Sequence, residues 1–219
     1  MRHWKVIDAA VTPEAGTLTL LQGGDAFVIR ADGEDLMTSR LHGSEEVLAE
    51  VARPTRPDAR VLVGGLGMGF TLRAALDGVG PEAHVTVAEL LQAVVLWNHG
   101  PLGPLASHPL DDPRVHVHVG DVRALLRPGA GPWDAVLLDV DNGPAAFTQV
   151  GNDALYSLAG LKAARAAMRA GGRFAVWSAF EDDGFARRLG QAGFAVQTHA
   201  TRARRGGGSR HWVYVGQAP

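Results

Sequence analysis

A glycine-rich segment and four acidic residues have the types and spacing that point to chemistry. The glycine segment is Gly65-Leu66-Gly67-Met68-Gly69, and the acidic residues after it are Glu89, Asp121, Asp139 and Asp141. Glycine lets the main chain turn sharply and approach a ligand closely. The start of a helix supplies amides with no partner in the helix. A glycine turn followed by an acid further along the chain is typical of sites that bind a nucleotide.

The first two acids each have a chemical and a structural interpretation. Glu89 follows Gly69 by twenty positions, where a carboxylate can accept hydrogen bonds from both ribose hydroxyls. The alternative is an ordinary carboxylate at a helix start. Asp121 can accept from an adenine amino group, or it can cap a short helix over Val122–Leu126. Both interpretations stay open for both residues.

Two further acids stand in the segment Leu138-Asp139-Val140-Asp141-Asn142-Gly143-Pro144. Carboxylates at the carboxyl end of a strand are well placed for a cleft. Asp139 and Asp141 are therefore candidate catalytic residues, able to act as a general base or to hold an ammonium group. The alternative is turn chemistry, since Asp-Asn-Gly-Pro also favours a turn.

The elements that must position these residues alternate between strand and helix from Arg60 onward. Short apolar strands are predicted at Arg60–Val63, His84–Ala88, Val115–Val119, Ala135–Leu138 and Arg173–Trp177, with helices between them, including Ala154–Met168. Phe194–His199 and His211–Val215 predict a closing antiparallel hairpin. This order predicts an α/β fold with a Rossmann-like, doubly wound, mostly parallel sheet. Such sheets bind ligands at the carboxyl ends of their strands.

The first part of the chain has a different pattern. Thr17–Leu21 and Ala26–Ile29 flank a glycine turn and predict a small β-hairpin appendage over residues 1–42, followed by the binding domain over 43–219. Ser44 is predicted to cap a helix that runs to Val51, with Glu45 and Glu46 as acids of its first turn.

Composition narrows the classes of function. The 219 residues are 46% apolar and 20% charged, with a net charge of -2 and no cysteine. A general nucleic-acid binder would be more basic, and thiolate metal sites and disulfides are excluded. The nine histidines form no metal-binding pattern, so no metal is expected. No apolar run reaches the roughly 18 residues of a membrane span, and no signal-peptide core opens the chain, so a cytoplasmic protein is expected.

These residues together resemble the spermidine synthase family, the polyamine aminopropyltransferases, which share the class I S-adenosylmethionine methyltransferase fold. The resemblance implies that Glu89 binds the ribose, that Asp121 binds the adenine, and that Asp139 is the acid beside the reacting amine. It also implies a homodimer. The cofactor site it implies is made of Gly65, Leu66, Gly67, Met68, Gly69, Glu89, Leu90, Asp121, Val122 and Asp139.

The chain also departs from the family. Met68 stands where the family has an aspartate that binds the amine of decarboxylated S-adenosylmethionine, and Ser44 stands where a tyrosine positions the acceptor amine. Asp141 follows Asp139 by two positions instead of three. Arg205 replaces a tyrosine in the last hairpin turn. We therefore expect the nucleoside site to be kept and the polyamine-binding groups to be largely lost.

The last hairpin turn is rich in arginine, which suits a carboxylate or a phosphate better than a polycation. A solvated loop is the alternative for this turn, which includes Arg202, Arg204, Arg205 and Arg210. The sequence thus predicts an S-adenosylmethionine-dependent transferase, with methyl transfer favoured. Its acceptor would be a small or peptide-like molecule other than a polyamine, with anionic molecules included, and Ser44 and Arg205 would contact it. The alternatives are an aminopropyltransferase with a diverged amine site, and a non-catalytic adenosyl-binding or oligomeric protein.

Overall fold

Strands and helices alternate along most of the chain in a computed structural model, which describes residues 3–13, 15–139, 152–204 and 207–219. The strands are β1 Lys5–Val11, β2 Thr17–Gly23, β3 Ala26–Ala31, β4 Glu34–Thr38, β5 Arg60–Gly64, β6 His84–Glu89, β7 Val115–Val119, β8 Trp133–Leu138, β9 Met168–Ser178, β10 Ala195–Arg204 and β11 Gly207–Gln217. The α-helices are α1 Gly43–Val51, α2 Phe70–Asp77, α3 Gln92–His99, α4 Asn152–Tyr156, α5 Leu158–Ala166 and α6 Asp183–Gln191.

The main sheet has seven strands in the order β10-β11-β9-β8-β5-β6-β7. Strands β7, β6, β5, β8 and β9 pair in parallel, and β11 pairs antiparallel with both β9 and β10. Both faces of the central strand β5 are covered: Val61 and Val63 belong to one apolar cluster, and Leu62 belongs to the other. A parallel strand buried on both faces is uniformly apolar, which is why this pattern predicted it. The doubly wound fold with a closing hairpin is confirmed.

The carboxyl ends of the central strands meet at one edge. Strand β5 has β6 on one side and β8 on the other, so the loops after β5 and β8 diverge and open a crevice between them. Main-chain hydrogen bonds extend the ladders to this edge, from the amide of Gly65 to Ala88 (2.9 Å), of Asp139 to Gly64 (2.9 Å), and of Gly120 to Glu89 (2.8 Å). The glycine turn and the predicted acids therefore lie at neighbouring strand ends.

A second sheet of four antiparallel strands, in the order β1-β2-β3-β4, precedes the main one. Sequence patterning indicated only the β2–β3 hairpin, because β1 and β4 are short and largely exposed and show no clear alternation. The two sheets are joined by a side-chain bond in which the indole nitrogen of Trp97 donates to a carboxylate oxygen of Asp8 (2.7 Å). Trp97 is itself buried in the core.

The predicted long helix over Ala154–Met168 is two helices. Ser157 separates them, because its hydroxyl caps α5 by accepting from the amide of Gly160 (3.0 Å). Strand β9 then begins at Met168, five residues before the predicted start at Arg173. Gly171, which has a φ of 77°, and Gly172 lie inside this strand. None of the helices in the described ranges has the length and apolar content needed to cross a lipid bilayer.

Replacing Leu62 in β5 by alanine tests how much the fold depends on the central strand. Leu62 is fully buried, so Leu62→Ala should lower the free energy of unfolding by about 2–5 kcal/mol in chemical denaturation. Leu96→Ala is the matched control, because Leu96 is 59% exposed and its change should be within about 0.5 kcal/mol. Equal losses for the two variants would contradict the central position of β5.

Candidate functional site

The glycine turn adopts a backbone that only glycine takes easily. Gly65, Gly67 and Gly69 have φ values of 88°, 50° and 85°, all in the left-handed region where a side chain is strained. The amide of Gly69 donates to the carbonyl of Leu66 (2.8 Å), and α2 begins at the next residue. The turn therefore delivers the chain from the end of β5 to a helix start at the crevice.

Two residues outside the turn hold it in place. The side-chain amide of Asn98 on α3 donates to the carbonyl of Gly67 (2.8 Å) and to that of Val94 (2.9 Å). On another side, a β-carbon at Gly67 would lie 2.9 Å from the terminal methyl of Met37 in β4. The second sheet thus packs directly on the glycine turn. Asn98 could be noticed in the sequence only as a polar residue within an apolar helix.

Met68 and Leu66 direct their side chains into the core, where each is 3% exposed. A ligand can therefore meet only the main chain of the turn at these positions. The amides of Gly67 and Met68 donate to no other atom of the described residues, whereas the amide of Leu66 is already bonded to Glu89. The turn offers hydrogen-bond donors but no carboxylate.

Glu89 braces the turn from the neighbouring strand. It is 9% exposed, and its two oxygens accept from the amides of Leu66 (3.0 Å) and Leu91 (2.9 Å). Glu89 therefore has the structural role at the start of α3 that was one of its two interpretations. A carboxylate has about four acceptor positions, so bracing the turn is compatible with the predicted bond to a ribose.

Asp121 caps the short 3-10 turn Val122–Leu125 by accepting from the amide of Arg123 (2.8 Å), and it also accepts from the Arg123 guanidinium (2.7 Å). Burial raises the pKa of the Asp121 carboxyl, but the bonds from the Arg123 side chain and amide outweigh it, and the pKa is lowered. Asp121 is therefore a charged acceptor at the strand edge. Val122 beside it is buried in the core.

Apolar side chains are exposed between these acids. Leu90, directly after Glu89, is 41% exposed, and Val119 at the end of β7 is 45% exposed. Large apolar residues left open at a strand edge are suited to contact a flat apolar ring. Leu90 was predicted to contact the cofactor. Val119 was not, because within a β-strand its apolar character predicts only burial.

Asp139 lies across the crevice from Glu89, at the end of β8. One of its oxygens accepts from the hydroxyl of Thr71 (2.6 Å), a buried residue in the first turn of α2. Asp139 thus lies beside the glycine turn, as its position after the strand predicted. The other catalytic candidate, Asp141, and the substrate candidate Arg205 lie outside the described residues.

Ser44 does not occupy the cap position of α1 that the sequence predicted. Helix α1 begins at Gly43 after His42, so Ser44 lies inside the helix and caps nothing. Its buried hydroxyl donates to a carboxylate oxygen of Glu45 (2.9 Å) and lies 3.1 Å from Nδ1 of His211 in β11. Ser44 therefore joins α1 to the last hairpin at the same edge of the sheet.

Glu45 is a candidate functional residue that the sequence predicted only as an acid of the helix first turn. Burial, followed by the negative charge of Asp139, raises the pKa of its carboxyl to about 8. Two carboxyl groups thus influence each other across the crevice, with Glu45 on α1 and Asp139 after β8. The sequence signal was a pair of acids in a helix first turn, which is more often electrostatic support for the helix.

Aromatic contacts hold α1 and the hairpin at this edge. The His42 ring stacks on Phe70, the first residue of α2, with centroids 4.2 Å apart. The His211 ring meets Trp177 edge to face at 4.8 Å. The indole nitrogen of Trp177 is buried and has no hydrogen-bond partner among the described residues.

The arginines of the last hairpin that the structure describes bond within the hairpin. The Arg202 guanidinium donates to the carbonyl of Gly208 (3.4 Å), and the Arg210 guanidinium lies over the Trp212 ring, 5.5 Å from its centroid. These contacts match the solvated-loop interpretation for both residues. Within the described ranges, no three His, Asp or Glu side chains cluster closely enough to hold a metal ion.

The comparisons with known proteins agree with this architecture. The chain is similar to the solved spermidine synthase of Thermotoga maritima, with a TM-score of 0.77 and 19% identity over 98% of this chain and 73% of that one. The chain has the fold of spermidine synthase. A second structure, a spermidine synthase in complex with the transition-state analogue AdoDATO, matches with a TM-score of 0.76, 18% identity and the same coverage. No protein-family model and no curated protein matches the chain.

The raised pKa of Glu45 predicts a stability that depends on pH. The pKa of this carboxyl has its ordinary value of 4.5 in the unfolded chain and is about 8 in the folded protein. The folded state therefore binds more protons between these values, and its stability falls as the pH rises through that window. Glu45→Gln removes this loss. Its melting temperature relative to the wild type should rise from pH 4.5 to 8 and then stay level.

Glu50→Gln is the control for this measurement, because Glu50 is an exposed carboxyl on the same helix. Its melting temperature should follow the wild type across the whole range. If the difference between Glu45→Gln and the wild type is constant with pH, the carboxyl of Glu45 is not perturbed by folding.

Proposed function

We propose that the protein transfers the aminopropyl group of decarboxylated S-adenosylmethionine to an amine acceptor. The observation that supports this most is the pair of carboxyl groups, Glu45 and Asp139, beside the glycine turn. An amine is a cation in neutral water, and a carboxylate within a few ångströms attracts it strongly in a partly buried site. The sequence predicted that the amine-binding groups were largely lost, and Glu45 offers a replacement from a different element.

The charges around Glu45 support a cationic ligand. The charges that raise its pKa are those of Asp139 and Glu46, and both are negative. A bound ammonium would relieve this repulsion and favour the ionised carboxyls. An anionic acceptor would add to the repulsion instead.

The other half of the crevice suits the nucleoside of the donor. Glu89 can accept from the ribose hydroxyls, Asp121 is a charged acceptor at the adenine position, and Leu90 and Val119 offer apolar contact for the ring. The main-chain amides of the glycine turn lie between these residues and the carboxyl pair. The donor would thus span the crevice with its sulfonium near Asp139.

The transfer is a displacement at carbon. The lone pair of the acceptor nitrogen forms the new C–N bond while the C–S bond breaks, and the electron pair of that bond stays on sulfur. The sulfonium becomes a neutral thioether, methylthioadenosine, and the positive charge moves to nitrogen. Such a reaction depends mainly on holding the two reactants in line, and Asp139, fixed by Thr71, would orient the nitrogen.

Methyl transfer from S-adenosylmethionine is the second candidate, and one observation favours it. The glycine turn has no carboxylate to bind the amine of a decarboxylated tail, and the amides of Gly67 and Met68 can meet the carboxylate of an ordinary tail. Met68 itself does not discriminate between the tails by contact, because its side chain is buried in the core.

Turnover and binding separate these possibilities. Calorimetry should detect binding of methylthioadenosine and of decarboxylated S-adenosylmethionine. Mass spectrometry should detect an aminopropylated product when the decarboxylated donor is mixed with putrescine or another primary amine. A methylated product from S-adenosylmethionine would support the second candidate. If none of these ligands binds, both transferase functions fail and a non-catalytic role is left.

Asp139→Asn should lower kcat by roughly 10²-fold or more, because the neutral amide orients the nitrogen without attracting its charge. Binding of methylthioadenosine should persist, since the nucleoside contacts lie on β6 and β7. Asp58→Asn is the control, because Asp58 is exposed before the amino end of β5, opposite the crevice. Unchanged turnover in Asp139→Asn would remove Asp139 from the mechanism.

We also propose a homodimer, as the resemblance implied. Strand β1 forms an edge of the second sheet, and it exposes Val6 and Val11. Exposed apolar residues on an edge strand are suited to a protein contact. Light scattering should give twice the mass of the chain, and Val11→Lys should shift the protein towards the monomer. A monomeric wild type would contradict this assembly.

A further inference from the structure

We propose that Glu45 is the base that removes the proton from the acceptor nitrogen, and that Ser44 and His211 are positioning residues that carry this proton to solvent. The proposal rests on the proposed transfer to an amine. It assigns different tasks to the two carboxyl groups, since Asp139 orients the nitrogen and Glu45 takes its proton.

A continuous hydrogen-bonded chain connects the three residues. The hydroxyl of Ser44 donates to Glu45 at 2.9 Å, and its oxygen lies 3.1 Å from Nδ1 of His211. Because Ser44 has only one hydroxyl proton and donates it to Glu45, Nδ1 of His211 must donate to the Ser44 oxygen. After Glu45 gains a proton, exchange with water moves the His211 proton from Nδ1 to Nε2, which leaves Nδ1 free to accept. The Ser44 hydroxyl then gives its proton to Nδ1 and takes the proton of Glu45, and Nε2 releases its proton to solvent, which restores the starting state.

The location of the chain suits this task. The stacking of His42 on Phe70 fixes the start of α1 against the start of α2, directly after the glycine turn. His211 lies on β11 just beyond the pair formed by Trp212 and Ser178, at the carboxyl end of β9. The chain thus runs from the crevice, over the end of the sheet, to the partly exposed ring of His211.

The chemistry requires a base with a higher pKa than an ordinary carboxylate. The acceptor amine is protonated in water and must lose one proton before its lone pair can attack. A base works best when its pKa is near the working pH, and burial together with Asp139 raises the pKa of Glu45 to about 8. Burial lowers the pKa of His211, so His211 is neutral near pH 8 and can release the proton it receives.

The proton count closes over one turnover. The acceptor enters as an ammonium ion and gives one proton to Glu45. The neutral amine then attacks carbon, the C–S bond breaks, and the product leaves as a secondary ammonium ion. One proton per transfer therefore leaves by Ser44 and His211. No oxidant, metal ion or co-substrate beyond the donor and the acceptor is required.

Other titratable groups near α1 must be considered as sources of any pH effect. Arg73 pairs with Asp77 on α2, and Arg173 on β9 donates to the carbonyl of Val51 at the far end of α1. Asp139 and Glu46 act directly on Glu45, and His42 lies beside Glu46. The strands packed against α1 also carry Arg169 on β9, His199, Arg202 and Arg204 on β10, and Arg210, His211 and Tyr214 on β11.

The pH dependence of kcat for the proposed transfer tests the inference. In the wild type, kcat should rise about tenfold per pH unit below pH 8 and then level off, as Glu45 loses its proton. In Glu45→Gln this rise should disappear and kcat at pH 8 should fall by roughly 10²-fold. Glu45→Asp should recover part of the rate and keep a rise with pH. Glu50→Gln should behave as the wild type.

The positioning residues give a second readout. The hydrogen bond from Ser44 lowers the pKa of Glu45, so Ser44→Ala should move the rise in kcat to higher pH. His211→Asn keeps a donor for Ser44 but cannot relay a proton, so it should lower kcat while leaving the KM of the amine near that of the wild type. A purely structural role would leave the position of the rise unchanged in Ser44→Ala and would leave kcat unchanged in His211→Asn.

The outcomes separate this proposal from the proposed function. Wild-type turnover with an unchanged pH profile in Glu45→Gln would overturn the proton path and leave the transfer intact. A higher KM for the amine with the same pH profile would also overturn it, since Glu45 would then only attract the cation. Loss of the rise in Asp139→Asn alone would make Asp139 the base. Absence of turnover in the wild type, despite methylthioadenosine binding, would overturn the transfer and the proton path together.

Discussion

The bond between the Glu89 carboxylate and the amide of Leu66 holds the glycine turn in the geometry on which the site depends. Three glycines in the left-handed region give this segment little intrinsic preference for one conformation. A buried carboxylate must be hydrogen-bonded to be tolerated, so Glu89 and the turn stabilise each other. Asn98 and Met37 restrain the same turn from α3 and from the second sheet. The turn is therefore prearranged before any ligand arrives.

Carboxyl groups on the two sides of the crevice meet opposite conditions. Glu89 and Asp121 accept main-chain amides, and Asp121 also has a guanidinium partner, which favours the ionised form. Among the described residues, the Ser44 hydroxyl and the Glu45 amide favour ionisation of Glu45, while burial and two negative neighbours oppose it. One side thus resembles a fixed hydrogen-bonding frame, and the other can change its charge when a cation binds. Transfer from a nucleoside donor to an amine needs both properties.

Much of the fold could be predicted from the sequence, as could the positions of Glu89, Asp121 and Asp139 at strand ends, because both depend on local patterns. Apolar runs such as Arg60–Val63 predict the strands, and the acids directly after them predict where the carboxyl edge of the sheet lies. The acceptor side depends on tertiary packing instead. Nothing within residues 43–51 indicates that α1 would lie over α2 and the last hairpin, so Glu45 and His211 could not be connected, and Ser44 was assigned to a cap. The position of Met68 in the sequence matches that of the family's aspartate, and only the structure shows that the Met68 side chain lies in the core.

The position of Glu45 shows how the proposed acceptor site could form when the turn itself lacks a carboxylate. Electrostatic attraction depends on distance and burial, and not on which element holds the charge. A carboxyl on α1 can attract the same cation as one in the turn, provided that α1 is held against the crevice, and the His42–Phe70 stack does this. The consequence is a less stable protein at neutral and basic pH, since Glu45 is difficult to ionise in the folded state. Glu45 lowers the stability of the folded protein and is hydrogen-bonded to Ser44, which in turn contacts His211. Proton transfer explains this arrangement better than electrostatic support of a nine-residue helix does.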